Sequence, residues 1–229
     1  FYSFLNIICA KYICGKLTRE QTKSELIKLF RLSPLVQNDT HYLESDQKLV
    51  PLLEIISELF PEAYYIWLIR NPYQFSLSAT SRGWFSDSDT LTFTHDNLPI
   101  IKPQLSSDGL RNYFMYINYN NYNIFNLTQF ERNILYWKYW NNMISTFFNK
   151  IASKNKLFLR LEYISKDIDL LFQFVGINKP KKIITKKINI VKKKDKKSYH
   201  NLINNLENLK NNQRVEIIDE LRSWYPDLK

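Results

Sequence analysis

Six consecutive apolar residues, Tyr64-Tyr65-Ile66-Trp67-Leu68-Ile69, run without polar alternation and stop at Arg70. A continuous run of this kind is what a strand buried on both faces of a parallel sheet looks like. Asn71-Pro72 follows at once. Pro72 disfavours helical backbone at Asn71 but suits a helix start, so the spacing predicts a helix over Tyr73 to Arg82, ended by Gly83. A charged residue between strand and helix sits at the end of the sheet where open α/β folds bind ligands. The helix also carries the small hydroxyls Ser76, Ser78 and Ser81. A guanidinium, a hydroxyl and free helix N–H groups can converge on one phosphate, which makes Arg70 with Ser78 a candidate anion clamp. The competing structural role has Arg70 capping the strand beside an acid while Ser78 packs a small helix face.

Upstream, Asp39 to Asp46 alternates, with His41, Leu43 and Ser45 on one face and Tyr42, Glu44 and Asp46 on the other, as a short strand does. Leu49 to Phe60 then reads as an apolar helix ended by Pro61. Strand, helix and strand in that order form a βαβ unit, hence a parallel sheet with a right-handed crossover. Before it, Phe1 to Lys16 has the apolar spacing of an amphipathic helix, and Thr18 with Gln21 forms a capping box for a second one.

Downstream, Phe85 to Asn126 is polar, aromatic and asparagine-rich without a sustained period, a candidate lid or acceptor-facing insertion. Its tract Met115 to Ile124 also suits a packed aromatic edge. Asn126-Leu127-Thr128 fits the N-x-T glycosylation pattern, which needs a secretory context. Thr128 and Glu131 form a capping box for a long helix through Ile151, with Phe130, Ile134, Trp137, Trp140, Ile144, Phe147 and Phe148 as its apolar stripe. Lys156 to Tyr163 reads as a strand, Asp167 to Val175 as a helix ended by Gly176, and Tyr199 to Leu209 and Asn212 to Trp224 as closing helices.

At 229 residues and 45% hydrophobic, the chain suits one domain, 1–229, with one sizeable core. The net charge of +10 is local: Lys179 to Lys197 holds ten lysines against Asp195 alone, so this basic loop carries +9 of it. A local basic segment is a phosphate or polyanion contact or a solvated loop, not the uniformly basic face of a dedicated nucleic-acid binder. Two cysteines, Cys9 and Cys14, give no disulfide framework and no four-cysteine metal site, and the three histidines are scattered. No run reaches the roughly 18 to 20 apolar residues of a membrane span, and no signal segment is visible. Location stays open; a bacterial source would imply the cytoplasm.

Arg70-Asn71-Pro72 with Ser78 eight residues after the arginine resembles the 3′-phosphate motif of sulfotransferases that use 3′-phosphoadenosine-5′-phosphosulfate (PAPS). Further matches to the bacterial-type members stand in register. Glu44-Ser45-Asp46, Leu59-Phe60-Pro61-Glu62-Ala63 and Ser81-Arg82-Gly83-Trp84 surround the motif. Glu131-Arg132, Trp137, Leu159-Arg160-Leu161-Glu162 and Phe174-Val175-Gly176 follow it, with Tyr163 where the family usually has aspartate. The resemblance spans about Tyr42 to Gly176. It implies a three-layer α/β/α fold of P-loop-kinase-like architecture and an enzyme that moves a sulfonate from PAPS to a hydroxyl or amine of an unknown acceptor, a carbohydrate or small molecule.

In that family Arg70 and Ser78 would anchor the 3′-phosphate, and Lys192 and Lys193 would close over it from the basic loop. Any one of these lysines serves equally as part of a solvated face. Glu44 is the candidate base, with a structural role as its alternative; His41 is the other candidate. Glu162 suits a structural role that holds the next loop or helix, rather than a catalytic one. No metal, no specific nucleic acid and no membrane span are expected. The family's loop for the 5′-phosphosulfate, approximately R-S-G-(T/S)-T, has no counterpart at Gly15, Gly83, Gly109 or Gly176. The expectation is a chain cut just after that loop, which binds adenosine 3′,5′-bisphosphate (PAP) weakly and turns over little; a degenerate relative is the alternative. Other classes are a non-catalytic PAP-binding relative, a basic module that holds RNA or another polyanion through Lys179 to Lys197, and a nucleotide kinase, which the absence of GxxxxGK(S/T) disfavours.

Overall fold

The computed structural model describes residues 2–13, 15–32, 43–86, 126–180, 204–206 and 211–224. It is a mixed helix and strand structure around a parallel pair of strands, β1 (Tyr65–Ile69) and β2 (Lys156–Arg160), paired from Tyr65 beside Lys156 to Ile69 beside Arg160. The helices are α1 (Tyr2–Ile13), α2 (Arg19–Leu32), α3 (Leu53–Leu59), α4 (Pro72–Thr80), α5 (Gln129–Lys150), α6 (Ile164–Val175) and α7 (Asn211–Trp224). The parallel sheet expected for an α/β chain is present.

Two expectations need correction. The strand expected over Asp39 to Asp46 is absent from its described part, Leu43 to Asp46, which has no regular structure; the partner of β1 is β2, reached by a much longer crossover. Alternation alone cannot specify a strand, because pairing depends on what packs against it. The helix expected from Leu49 begins instead as a 3-10 helix, Gln47–Leu52, with Pro51 inside it, and turns α-helical only at Leu53. Proline has no N–H to give to the α-helical ladder and crowds the preceding turn, so the regular helix starts after it.

The apolar run is also less enclosed than continuous hydrophobicity suggests. Trp67 and Ile69 are buried, whereas Leu68 remains 46% exposed and Phe158 on β2 40%. Successive side chains on a strand point to opposite faces. On the Trp67 side, Tyr65 meets Phe147 at 4.9 Å and Trp67 meets Phe148 at 5.4 Å, both from α5. Tyr64, next before Tyr65, meets Phe174 of α6 at 5.1 Å.

Helix α5 is the element on which the rest hangs. Its start has the expected capping box: Thr128 Oγ1 accepts from the Glu131 N–H at 3.2 Å while the Glu131 carboxylate accepts from the Thr128 N–H at 2.8 Å. Every residue from Phe130 to Lys138 is buried, so the first half of the helix is enclosed all round rather than on the one apolar stripe. Most of its buried polar groups meet partners, as Arg132 does at the Phe85 carbonyl, Lys138 at Glu216 and Asn141 at the Trp137 carbonyl, while Asn133 Oδ1 meets no hydrogen-bond partner among the described residues. Thr18 and Gln21 likewise form the box expected at the start of α2. Gly176 ends α6 with φ of 67°, a left-handed conformation that suits glycine.

Candidate functional site

The turn that leaves β1 is fixed from three directions. Trp137 of α5 donates its indole N–H to the Arg70 carbonyl at 2.9 Å. The Asn71 N–H donates to the Glu162 carboxylate at 2.7 Å, and the Asn71 side-chain oxygen accepts from the Gln74 N–H at 3.1 Å as the N-cap of α4. Pro72 occupies the first turn, where its missing N–H costs nothing. Register explains Glu162: Arg160 lies beside Ile69, so the 3-10 turn Leu161–Tyr163 emerges next to Asn71. Glu162 therefore has a structural role, but at the distant Asn71 turn rather than at the next loop or helix that the sequence suggested.

Arg70 is half-buried at this turn, at the C-terminal end of β1. Ser78 is only 3% exposed, in the last turn of α4. Ser78 lies six residue steps beyond Pro72, about 9 Å along the axis at ~1.5 Å per residue. The hydroxyl of Ser78 accepts from Arg82 Nη2 at 2.7 Å, and the Ser78 carbonyl accepts from Arg82 Nε at 3.2 Å. Arg82 also lies over the Trp84 ring, 5.5 Å from its centroid. Sequence reasoning quoted Arg82 for its resemblance and gave it no role; the four-residue spacing from Ser78 on a helix was the available signal.

Glu44 is half-buried, and its carboxylate accepts from the Ser45 N–H at 2.9 Å. It is carried on an irregular segment rather than at a strand end. The next turn is nonetheless tied to the same helix as Arg70, because Trp140 Nε1 donates to the Gln47 carbonyl at 2.8 Å. Lys192, Lys193 and His41 lie outside the described residues. Lys179, the first of the basic run, pairs with Asp169 of α6.

The C-terminal helix closes over the same region. The Trp224 ring packs edge-on to Trp137 at 5.5 Å and to Trp67 at 5.9 Å. Lys138, 7% exposed, meets Glu216 at 3.3 Å and Glu220 at 3.4 Å from α7. Elsewhere, an open pocket of about 450 Å³ lies among α1, the Gln47–Leu52 turn and the second half of α5, lined by Tyr12, Pro51, Tyr139 and Phe147 among others. None of Glu44, Arg70, Ser78 or Arg82 lines it, so it is separate from the clamp.

Among the described residues no group of histidine, cysteine, aspartate and glutamate side chains could hold a metal ion, and no helix is long and apolar enough to cross a membrane. No protein-family model, curated protein or solved structure matches the chain.

Proposed function

We propose that this chain carries the 3′-phosphate half of a PAPS-dependent sulfotransferase site, on a three-layer α/β/α core of P-loop-kinase-like architecture. The observation that carries the proposal is the Arg70-Asn71 turn at the C-terminal end of a parallel strand, locked by Trp137 and Glu162 and leading directly into a helix. A main chain held by three hydrogen bonds presents its arginine with little left to order on binding, which is what an anion clamp needs. Contacts from α5 to Tyr65 and Trp67, and from α6 to Tyr64, support helices on both faces of the sheet.

In this account Arg70 and Ser78 anchor the 3′-phosphate, with Lys192 and Lys193 closing over it. Sulfuryl transfer needs mainly positioning and charge stabilisation. The acceptor oxygen or nitrogen forms a bond to sulfur as the bond from sulfur to the phosphate oxygen of the donor breaks. The acceptor proton passes to Glu44, and PAP leaves. The acceptor is a hydroxyl or amine, on a carbohydrate or small molecule. Calorimetric titration of the full chain with PAP against adenosine 5′-monophosphate tests the proposal, since only the former presents a 3′-phosphate. Binding of RNA that vanishes when Lys179 to Lys197 is neutralised, with no nucleotide preference, would point instead to a basic interaction module.

A further inference from the structure

We propose that Arg82 is the second cation of this nucleotide site and takes the 3′-phosphate jointly with Ser78, an assignment that rests on the nucleotide function proposed above. The guanidinium has five N–H donors. Two are used, by the Ser78 hydroxyl at 2.7 Å and the Ser78 carbonyl at 3.2 Å. The other three, and the Ser78 hydroxyl proton, meet no acceptor among the described residues. No carboxylate among the described residues lies within ion-pair distance of Arg82 either. Arg82 itself is exposed, so among the described residues the pair is an open cluster of donors around a nearly buried serine, without a negatively charged acceptor.

The platform beneath Arg82 is fixed by side chains of α5. Trp84, over which the guanidinium lies, has its carbonyl held by Gln129 at 2.9 Å and by Asn133 at 3.1 Å. The next carbonyl, of Phe85, accepts from the buried Arg132 at 2.9 Å. Phe85 itself sits at φ of 57°, a conformation uncommon for a bulky residue, so its surroundings must hold it there. This is preorganisation of the kind that lowers the ordering cost of binding.

Charge and geometry select the ligand. A planar guanidinium with parallel N–H groups matches the oxygens of a phosphate, which can also accept the Ser78 proton. The end of α4 offers no help from backbone N–H groups, because the C-terminus of a helix is the negative end of its dipole. Arg82 supplies positive charge that offsets the dipole at that end of the helix, and it acts together with Arg70.

The test is titration of the intact chain with PAP and with adenosine 5′-monophosphate, in wild type, Arg82→Ala and Arg82→Lys. Loss of a charge-assisted contact predicts PAP affinity about 10- to 100-fold weaker in Arg82→Ala, with monophosphate affinity unchanged. Arg82→Lys, which keeps the charge and loses the fork, falls between. Circular dichroism checks that α4 is intact. A folded Arg82→Ala that keeps the wild-type ratio of the two affinities overturns the role of Arg82 and leaves the nucleotide site standing. Wild type without any preference for PAP overturns the nucleotide site and the assignment together.

Discussion

Trp137 holds the carbonyl of Arg70 from a helix 67 residues away in sequence, at 2.9 Å. One turn along the same helix Trp140 holds the carbonyl of Gln47 at 2.8 Å, so two tryptophans fix both the clamp and the segment that follows Glu44. A donor for a partly buried carbonyl matters mainly when it is removed. Trp137→Phe keeps the ring and deletes the N–H, and is expected to lower stability by about 1–3 kcal/mol in urea denaturation. PAP affinity should fall with it, since the Arg70 turn loses one of its three restraints.

Glu162 offers a separate test of the same turn. Its carboxylate takes the Asn71 N–H at 2.7 Å. Glu162→Ala strands that donor and should cost about 1–3 kcal/mol, whereas Glu162→Gln keeps a side-chain oxygen that can accept and should cost about 1 kcal/mol or less. Equal losses in the two variants, measured by thermal unfolding, would show that the acceptor is irrelevant.

Lys138 should behave asymmetrically with its partners on α7. Its side chain is 8% exposed, while those of Glu216 and Glu220 are 58% and 30% exposed. Lys138→Met replaces a buried charge by an apolar group of similar length and leaves glutamates that water can solvate, so stability should change little. Glu216→Gln with Glu220→Gln leaves a buried ammonium without its counter-charges and should cost on the order of 1–3 kcal/mol. Denaturant midpoints of the two variants decide the matter, and the reverse order would contradict this account of how α7 docks.

Tyr65 gives a pH prediction. Burial pushes its hydroxyl from the ordinary 10.0 up to about 12. The folded state therefore keeps this proton where the unfolded chain begins to release it. The contribution to stability is fully present below pH 10.0 and is lost as pH rises toward about 12. Burial also raises the Tyr139 hydroxyl, so ultraviolet titration of tyrosinate should show one late-ionising group fewer in Tyr65→Phe than in wild type, with Tyr139 still ionising late.

The sequence made local chemistry legible and left long-range chemistry hidden. Thr128 with Glu131, Pro72 after Asn71, and Gly176 after Val175 each act within a few residues, and each appears where expected. The bond from Asn71 to Glu162 spans 91 residues, and no local pattern announces it. The pairing of β1 with β2 across the whole of α4 and α5 was hidden for the same reason, and the strand expected over Asp39 to Asp46 is missing from its described part, Leu43 to Asp46. Of the candidate site, the Arg70 turn was readable from strand, proline and helix start. The grip of Arg82 on Ser78 lay within one helical turn and was still missed, because the spacing shows that two side chains can meet but not which partner each prefers.

The most direct measurement is calorimetric titration of wild type and Arg70→Ala with PAP and adenosine 5′-monophosphate. The account predicts that wild type binds PAP at least about tenfold more tightly than the monophosphate, and that Arg70→Ala abolishes this preference through loss of a charge-assisted phosphate contact. Equal wild-type affinity for the two ligands, or a preference that survives in folded Arg70→Ala, would contradict it.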